Sequence, residues 1–294
     1  AKIGETEYET LAAAIEAADA GATVKMLDNV ELKAVQTISK AITLDLNGKT
    51  ISSTIDEFIT IAKGGDLTIN DEVGTGRIEN TSTGANGGVI DLTGGILTVK
   101  GGTIASNKAT SQYSPTIAVE TSSAAIINVT GGRIEADRTG NAQAIRFNSQ
   151  TKATLNVTGG EIVASQNAVY CIAGCKLINI AGGTLISKTG NAVYSANQNA
   201  ITISGGTLTS GGKVASLGIG GNGCTVTVGR EGGSVSDVDI PSIDFKGSFS
   251  SYEATVYLLS GTVQEFRNFD KITVATVSQG KAKFLTGTDI SSKL

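Results

Sequence analysis

The sequence predicts an all-β fold: a parallel β-helix of about eight coils, with an N-terminal capping helix and a C-terminal β cap. Three features carry this expectation: a short phrase that returns at a near-constant interval, alternation of apolar and polar residues inside it, and a glycine pair at a fixed place. The phrase reads Leu155-Asn156-Val157-Thr158-Gly159-Gly160-Glu161-Ile162, with variants from Leu97 to Ile104, Ile127 to Ile134, Ile178 to Leu185 and Ile201 to Leu208. Its leading glycines, Gly101, Gly131, Gly159, Gly182 and Gly205, stand 30, 28, 23 and 23 residues apart. Repetition at that interval marks a repeat architecture. Alternation marks strands, and the glycine pair marks a bend where φ turns positive or the backbone crowds a neighbour.

Taken in order, residues 1–35 hold the capping helix and a first strand. Thr6-Glu7-Tyr8-Glu9 has the Thr-x-x-Glu spacing of a capping box. Tyr8, Leu11, Ile15 and Ala18 follow at helical spacing, and Gly21 stands where a helix would end. An amphipathic helix is therefore expected over 7–20. The uncovered end of a β-helix exposes unpaired strand edges, which gives such a lid its physical purpose.

Residues 36–235 form the coils. Degraded forms of the phrase extend the repeat outward, from Leu44 to Ile51, Leu67 to Ile78 and Val226 to Val235. Aligned, they give aliphatic columns: Leu44, Leu67, Leu97, Ile127, Leu155 and so on to Val226; Leu46, Ile69, Val99 and so on to Val228; Ile51, Ile78, Ile104 and so on to Val235. A position that is aliphatic in every repeat is one layer of a stacked core. A third strand per coil is expected at Phe58-Ile59, Val89-Ile90, Ile117 to Val119, Ala144-Ile145, Ala168-Val169 and Ala192-Val193. Three short strands are too few for the four-stranded blade of a propeller, and β-branched, Gly-rich phrases exclude helical repeats. Asn141, Asn167 and Asn191 fall at equivalent corners and are expected to stack as a ladder, while Tyr113-Ser114-Pro115 tops a bulging loop.

Residues 236–294 read as C-terminal strands and cap, preceded by one or two irregular coils, or alternatively as a small strand pair that docks onto a following domain. The glycine phrase stops and aromatic residues gather: Phe245, Phe249, Tyr252, Tyr257, Phe266, Phe269 and Phe284. Strands are expected from Val256 to Leu259 and from Ile272 to Ala275.

These coils resemble the right-handed parallel β-helices of the pectin-lyase-like superfamily. The order Tyr-x-Thr-Leu, Ala-rich helix, Gly, strand, Thr-Ile-Ser-Lys, Ile-Thr-Leu-Asp-Leu-Asn-Gly from Tyr8 through Ile51 is similar to the opening of Gly-rich surface repeat proteins of bacteria. The resemblance spans residues 6–235. It implies the fold and a secreted or cell-surface setting. It does not select an activity, because that fold hosts lyases, hydrolases, esterases, adhesins and phage fibres.

The composition agrees with small stacked aliphatics: 40% of the 294 residues are hydrophobic and only 4% aromatic. A net charge of −4 argues against a nucleic-acid partner, which calls for basic stripes. No run approaches ~18 consecutive apolar residues, so no membrane insertion is expected. Cys171, Cys175 and Cys224 make an odd count and give no complete disulfide framework. With no His in the chain and no Cys-x-x-Cys, buried thiols acting as small hydrophobes are the better reading than metal ligands.

The absence of His and of an Asp-Asp pair removes a polygalacturonase-like site and any Ser-His-Asp set. The third strand nevertheless offers an outward column. Aligning Val-Ile-Asp, Ala-Val-Glu, Ala-Ile-Arg, Ala-Val-Tyr and Ala-Val-Tyr stacks Asp91, Glu120, Arg146, Tyr170 and Tyr194 as ligand-binding candidates. Neighbouring Asp91 and Glu120 would stand about 5 Å apart, near the separation of a retaining glycosidase pair. The tyrosines would offer flat faces to a sugar ring, and Arg146 would meet a uronate carboxylate. The plainer reading is a solvated face of compatible neighbours. A second outward column holds Thr98, Asn128, Asn156, Asn179, Thr202 and Thr227, and Arg133 and Glu161 share one phase on adjacent coils.

The expectation is a non-enzymatic, secreted or cell-surface module, adhesin-like or a stalk. It would be monomeric, without a cofactor or bound metal, and would present an elongated face to polysaccharide, surface glycan or protein. The alternative is a polysaccharide lyase or glycoside hydrolase acting on acidic glycan, and only the lyase would call for Ca²⁺.

Overall fold

A computed structural model describes residues 1–84, 87–106, 115–119, 124–136, 142–148, 152–172, 175–197, 199–211, 214–221, 223–245, 254–267, 273–278 and 281–285. The chain is a parallel β-solenoid of about eight turns, with almost no helix. Each phrase folds as two short arms around a corner, as in Ile96–Val99 with Thr103–Ala105, and Ile126–Val129 with Arg133–Ala136. First arms pair in parallel with first arms, and second arms with second arms. In two later coils, Leu177–Ser187 and Ala200–Thr209 run through the corner as one bent strand. The third strand of every coil joins a separate ten-stranded parallel sheet, from Gln36–Ile38 to Phe266–Arg267. Three faces therefore surround one core.

The two glycines of the corner have different tasks. A Cβ on Gly131 would lie 2.2 Å from the Lys100 carbonyl oxygen of the coil below, so the first glycine is there for close approach. Gly132 has φ +67°, so the second supplies a left-handed bend that a side chain would strain. Gly159 with Gly160 and Gly182 with Gly183 repeat this division.

The core is the expected stack. Leu97, Ile127, Leu155 and Ile178 pair in register through successive coils, and each is fully buried. Burying each such side chain contributes about 1.5–3 kcal/mol relative to exposure. Inside a corner, the Asn191 backbone N–H donates to Asn167 Oδ1 at 3.0 Å, and Asn191 Nδ2 donates to the Ala215 carbonyl at 2.6 Å. One link of the expected ladder, Asn167 to Asn191, is thus formed, and Asn191 carries it on to the backbone of the next coil. Gln143 is the register partner of Asn167 on the preceding coil. Asn141, Tyr113, Ser114, Phe249, Tyr252 and Phe269 lie outside the described residues.

Three expectations are corrected. The alignment of the first coil slips by two: Ile42 pairs with Leu67 and Leu44 with Ile69. The corner there is two residues longer than in the coils from Leu97 to Leu208. It runs through buried Leu46 and Asn47, and the Asp71 carboxylate ties it down by accepting from the N–H groups of Gly48 (2.7 Å) and Gly76 (2.6 Å). Counting back from the glycine therefore lands two residues late, while keeping the correct face.

The helix spans Leu11–Ala17 rather than 7–20, and its N-cap is Thr10, whose Oγ1 accepts from the Ala13 N–H at 3.0 Å. Thr6–Glu7 is instead a strand antiparallel to Lys2–Ile3, so the capping box from Thr6 to Glu9 is not made. Leu11, Ala14 and Ile15 are buried, with Leu11 and Ile15 facing Leu32, Ile38 and Ile42 of the first coil.

Val235 is 75% exposed and leaves its column, because the insertion at Gly229–Glu231 breaks the corner. Buried Val238 and Ile240 follow it, and Asp239–Ile240 pairs in parallel with Thr262–Val263. The ladder itself continues past 235, where irregular coils are expected. Cys224–Val228 pairs in parallel with Ala254–Leu258, and that strand with Thr273–Ser278. Lys281–Leu285 then turns back antiparallel to Thr273–Ser278. The glycine phrase is lost there but the alternation of Thr255-Val256-Tyr257-Leu258 is kept, and alternation is what stacking requires.

Candidate functional site

Strand alternation sends every second side chain outward, so each face carries its own columns. On the ten-stranded sheet the outward column runs Thr60, Asp91, Ala118, Arg146, Tyr170, Tyr194, Gly218, Asp244, Arg267. Asp91, Arg146, Tyr170 and Tyr194 therefore share the predicted column. Glu120 lies outside the described residues, and the place assigned to it belongs to Ala118, which pairs with both Asp91 and Arg146. The run Ile117-Ala118-Val119 has no internal marker of register, so a slip of two preserved the face and misplaced the residue.

Tyr170 and Tyr194 stack with centroids 5.2 Å apart and planes at 14°. The guanidinium carbon of Arg146 lies 5.9 Å from the Tyr170 centroid, at the outer limit of a cation–π contact. Both faces of Tyr170 are thus occupied by protein, which corrects the expectation of a free platform for a sugar. Tyr194 leans over the backbone of Gly220, where a Cβ would lie 2.0 Å from its hydroxyl oxygen. Burial, then the neighbouring Tyr170, then Cys224, push the Tyr194 hydroxyl above the ordinary tyrosine range.

The first-arm face carries a polar ladder in continuous register: Thr43, Thr68, Thr98, Asn128, Asn156, Asn179, Thr202, Thr227. Asn156 Nδ2 donates to Asn128 Oδ1 at 2.9 Å, and Asn128 Nδ2 to Thr98 Oγ1 at 3.4 Å. Beside it run half-buried Ile96, Ile126, Thr154 and Leu177, and on the other side exposed Lys100, Thr130, Thr158 and Ala181.

The second-arm face is charged. Arg133 pairs with Glu161 on the adjacent coil, as the sequence suggests, but that pair belongs to a larger network. The Glu135 carboxylate accepts from Arg133 Nε at 2.6 Å and from Arg77 Nη2 at 3.0 Å, and Arg77 Nε also meets Glu79 at 3.1 Å. Arg77 reaches a residue two coils away because small Ala105 occupies the rung between Glu79 and Glu135. Burial opposes the charge on both arginines, and the hydrogen bonds to Glu135 and its neighbours outweigh it and raise their pKa values. The link skips a rung, joining residues 58 apart in the chain, and so escapes a reading that compares adjacent coils only.

The three cysteines are buried thiols. They gather around one asparagine and one serine: Asn199 Oδ1 accepts from the Cys175 N–H at 2.5 Å, Asn199 Nδ2 donates to Cys171 Sγ at 3.5 Å, and Cys224 Sγ lies 3.7 Å from Ser195 Oγ. A hydrogen bond with Cys171, then burial, push the Cys175 thiol far up, so its nucleophilic thiolate is suppressed.

Among the described residues no helix is long and apolar enough to cross a membrane. Comparison with protein families, with curated proteins and with solved structures finds no match for this chain.

Proposed function

We propose that this chain is a non-enzymatic module of a secreted or cell-surface protein. It serves as a stalk or adhesin and presents an elongated face to carbohydrate. We take the solenoid as right-handed, akin to the pectin-lyase-like superfamily and to bacterial surface repeat proteins. On this reading the helix Leu11–Ala17 and the strands after 235 shield its two ends.

The observation that carries the reading is the outward ladder from Thr43 to Thr227, which repeats one kind of contact at every rung, about 4.8 Å apart. Such an array suits a polymer, which meets many weak, equivalent contacts at once. The lyase or hydrolase alternative loses its main support with Ala118 between Asp91 and Arg146. A secreted or surface setting rests on the resemblance of Tyr8 through Ile51.

Incubation with a panel of neutral and acidic polysaccharides, scored for retention and for new reducing or unsaturated ends, tests this. Retention without cleavage is expected. Cleavage of any polymer would reverse the non-enzymatic reading, and no retention on any of them would remove the carbohydrate reading.

A further inference from the structure

We propose that the first-arm face between Ile96 and Thr227 is a docking surface for an uncharged, extended polysaccharide. This rests on the carbohydrate reading above and narrows it to one face and one ligand class.

The argument begins with charge. Across six rungs the central column is Thr98, Asn128, Asn156, Asn179, Thr202 and Thr227. The flanking column, Ile96, Ile126, Thr154, Leu177, Ala200 and Thr225, is equally free of charge. Charge stands only at the margins, with Lys100 on one side and exposed Lys152 and Lys176 before Thr154 and Leu177 on the other. An acidic glycan lying along the two uncharged columns would leave its carboxylates desolvated with no cation in either column to meet them, which is costly. A neutral glycan has no such penalty. A nucleic acid is disfavoured for the same reason.

Polarity is arranged in stripes. The asparagine amides are already fixed by bonds along the axis, Asn156 to Asn128 and Asn128 to Thr98. Each amide has two donor hydrogens and two acceptor lone pairs, so one bond per group leaves others to turn outward. Groups held in place before binding lose little entropy on binding. The half-buried Ile96, Ile126 and Leu177 add an apolar stripe alongside. A pyranose has the matching character, with apolar C–H faces and a hydroxyl rim.

Size disfavours a second copy of the chain as the occupant. Five residues across and six rungs along give a patch roughly 13 Å by 29 Å, on the order of 400 Å². A stable protein pair needs about 800 Å² on each side. A polymer that continues past the patch has no such requirement.

The test uses the whole chain on microcrystalline cellulose and chitin as neutral polymers, and on polygalacturonate and alginate as acidic ones. Thr130→Glu with Thr158→Glu puts two charges on exposed positions of this face, and Thr207→Glu with Thr209→Glu puts two on exposed positions of the second-arm face. Thermal unfolding checks that both double variants fold. Retention of the native chain on a neutral polymer is expected, reduced tenfold or more by T130E/T158E and unchanged by T207E/T209E. Retention on acidic polymers alone, or equal loss in both variants, overturns this proposal and leaves the carbohydrate reading standing. A native dimer in sedimentation that T130E/T158E dissolves, with no neutral retention, makes the occupant a second copy. No retention on any polymer removes both readings.

Discussion

The first and second arms of each coil come from the same phrase, share one core and meet at one glycine corner, yet their outer surfaces are opposites. The second-arm face spends its outward positions on itself: Arg77, Glu79, Arg133, Glu135 and Glu161 bind one another, and Glu135 is nearly buried beneath the two arginines. The central column of the first-arm face from Thr98 to Thr227 holds only short, uncharged groups, and the bonds from Asn156 to Asn128 and from Asn128 to Thr98 run along the axis and leave capacity outward. The difference teaches that a repeat fixes which residues point out, while the coil-to-coil register decides whether they satisfy one another or remain open to a ligand.

The sharpest way to break the comparison is at the corner both faces share. Gly132→Ala adds a Cβ 2.7 Å from the Gly102 carbonyl oxygen at φ +67°. Strain and overpacking together should cost about 2–4 kcal/mol, read as a lower urea midpoint with both faces affected. Next in size is Glu135→Gln, which removes the carboxylate that two arginines share. It should destabilise by about 1–3 kcal/mol, between the values of exposed and buried pairs, and the loss should shrink in high salt. Asn156→Ala on the open face should cost less, about 0.5–1.5 kcal/mol, and show no salt dependence. Equal salt sensitivity for both variants would erase the distinction between the faces.

How much of this was legible in the sequence follows from the same contrast. Columns of Leu, Ile and Val at a fixed phase are forced by the core, so Leu97, Ile127, Leu155 and Ile178 could be placed without coordinates. The Thr98-to-Thr227 ladder came with them, because it lies inside the same phrase. Positions outside the phrase lacked that anchor. Ala118 was displaced by Glu120, because connections of unequal length precede that strand and nothing local fixes its register. The Arg77–Glu135 link stayed hidden although Ile78, Ile104 and Ile134 are in the expected register, because it skips the rung of Ala105 and joins coils that are not neighbours. The first-coil slip and the exposed Val235 have one origin: insertions near a corner shift the count while preserving alternation. The helix boundary failed differently, since Thr6–Glu7 is captured by the strand Lys2–Ile3, a tertiary contact that overrides a local capping pattern.

The smallest effect expected concerns the third face. Tyr194, pressed over Gly220 and against Tyr170, has its hydroxyl pKa raised, chiefly by burial. A raised pKa on an acid favours the protonated form in the folded chain. Its contribution to stability is therefore complete below the unfolded tyrosine value of about 10 and is lost as pH rises through the folded value. Ultraviolet titration of tyrosinate should show a late-ionising group that Tyr194→Phe removes, and the same variant should flatten the alkaline fall in stability above about pH 10. The Arg146–Tyr170–Tyr194 stack would then be a self-contained ladder, like the ion pairs of the second arm. A late-ionising tyrosine that survives in the variant would instead mean that Tyr194 is open to solvent, and would return this face to the candidates for ligand contact.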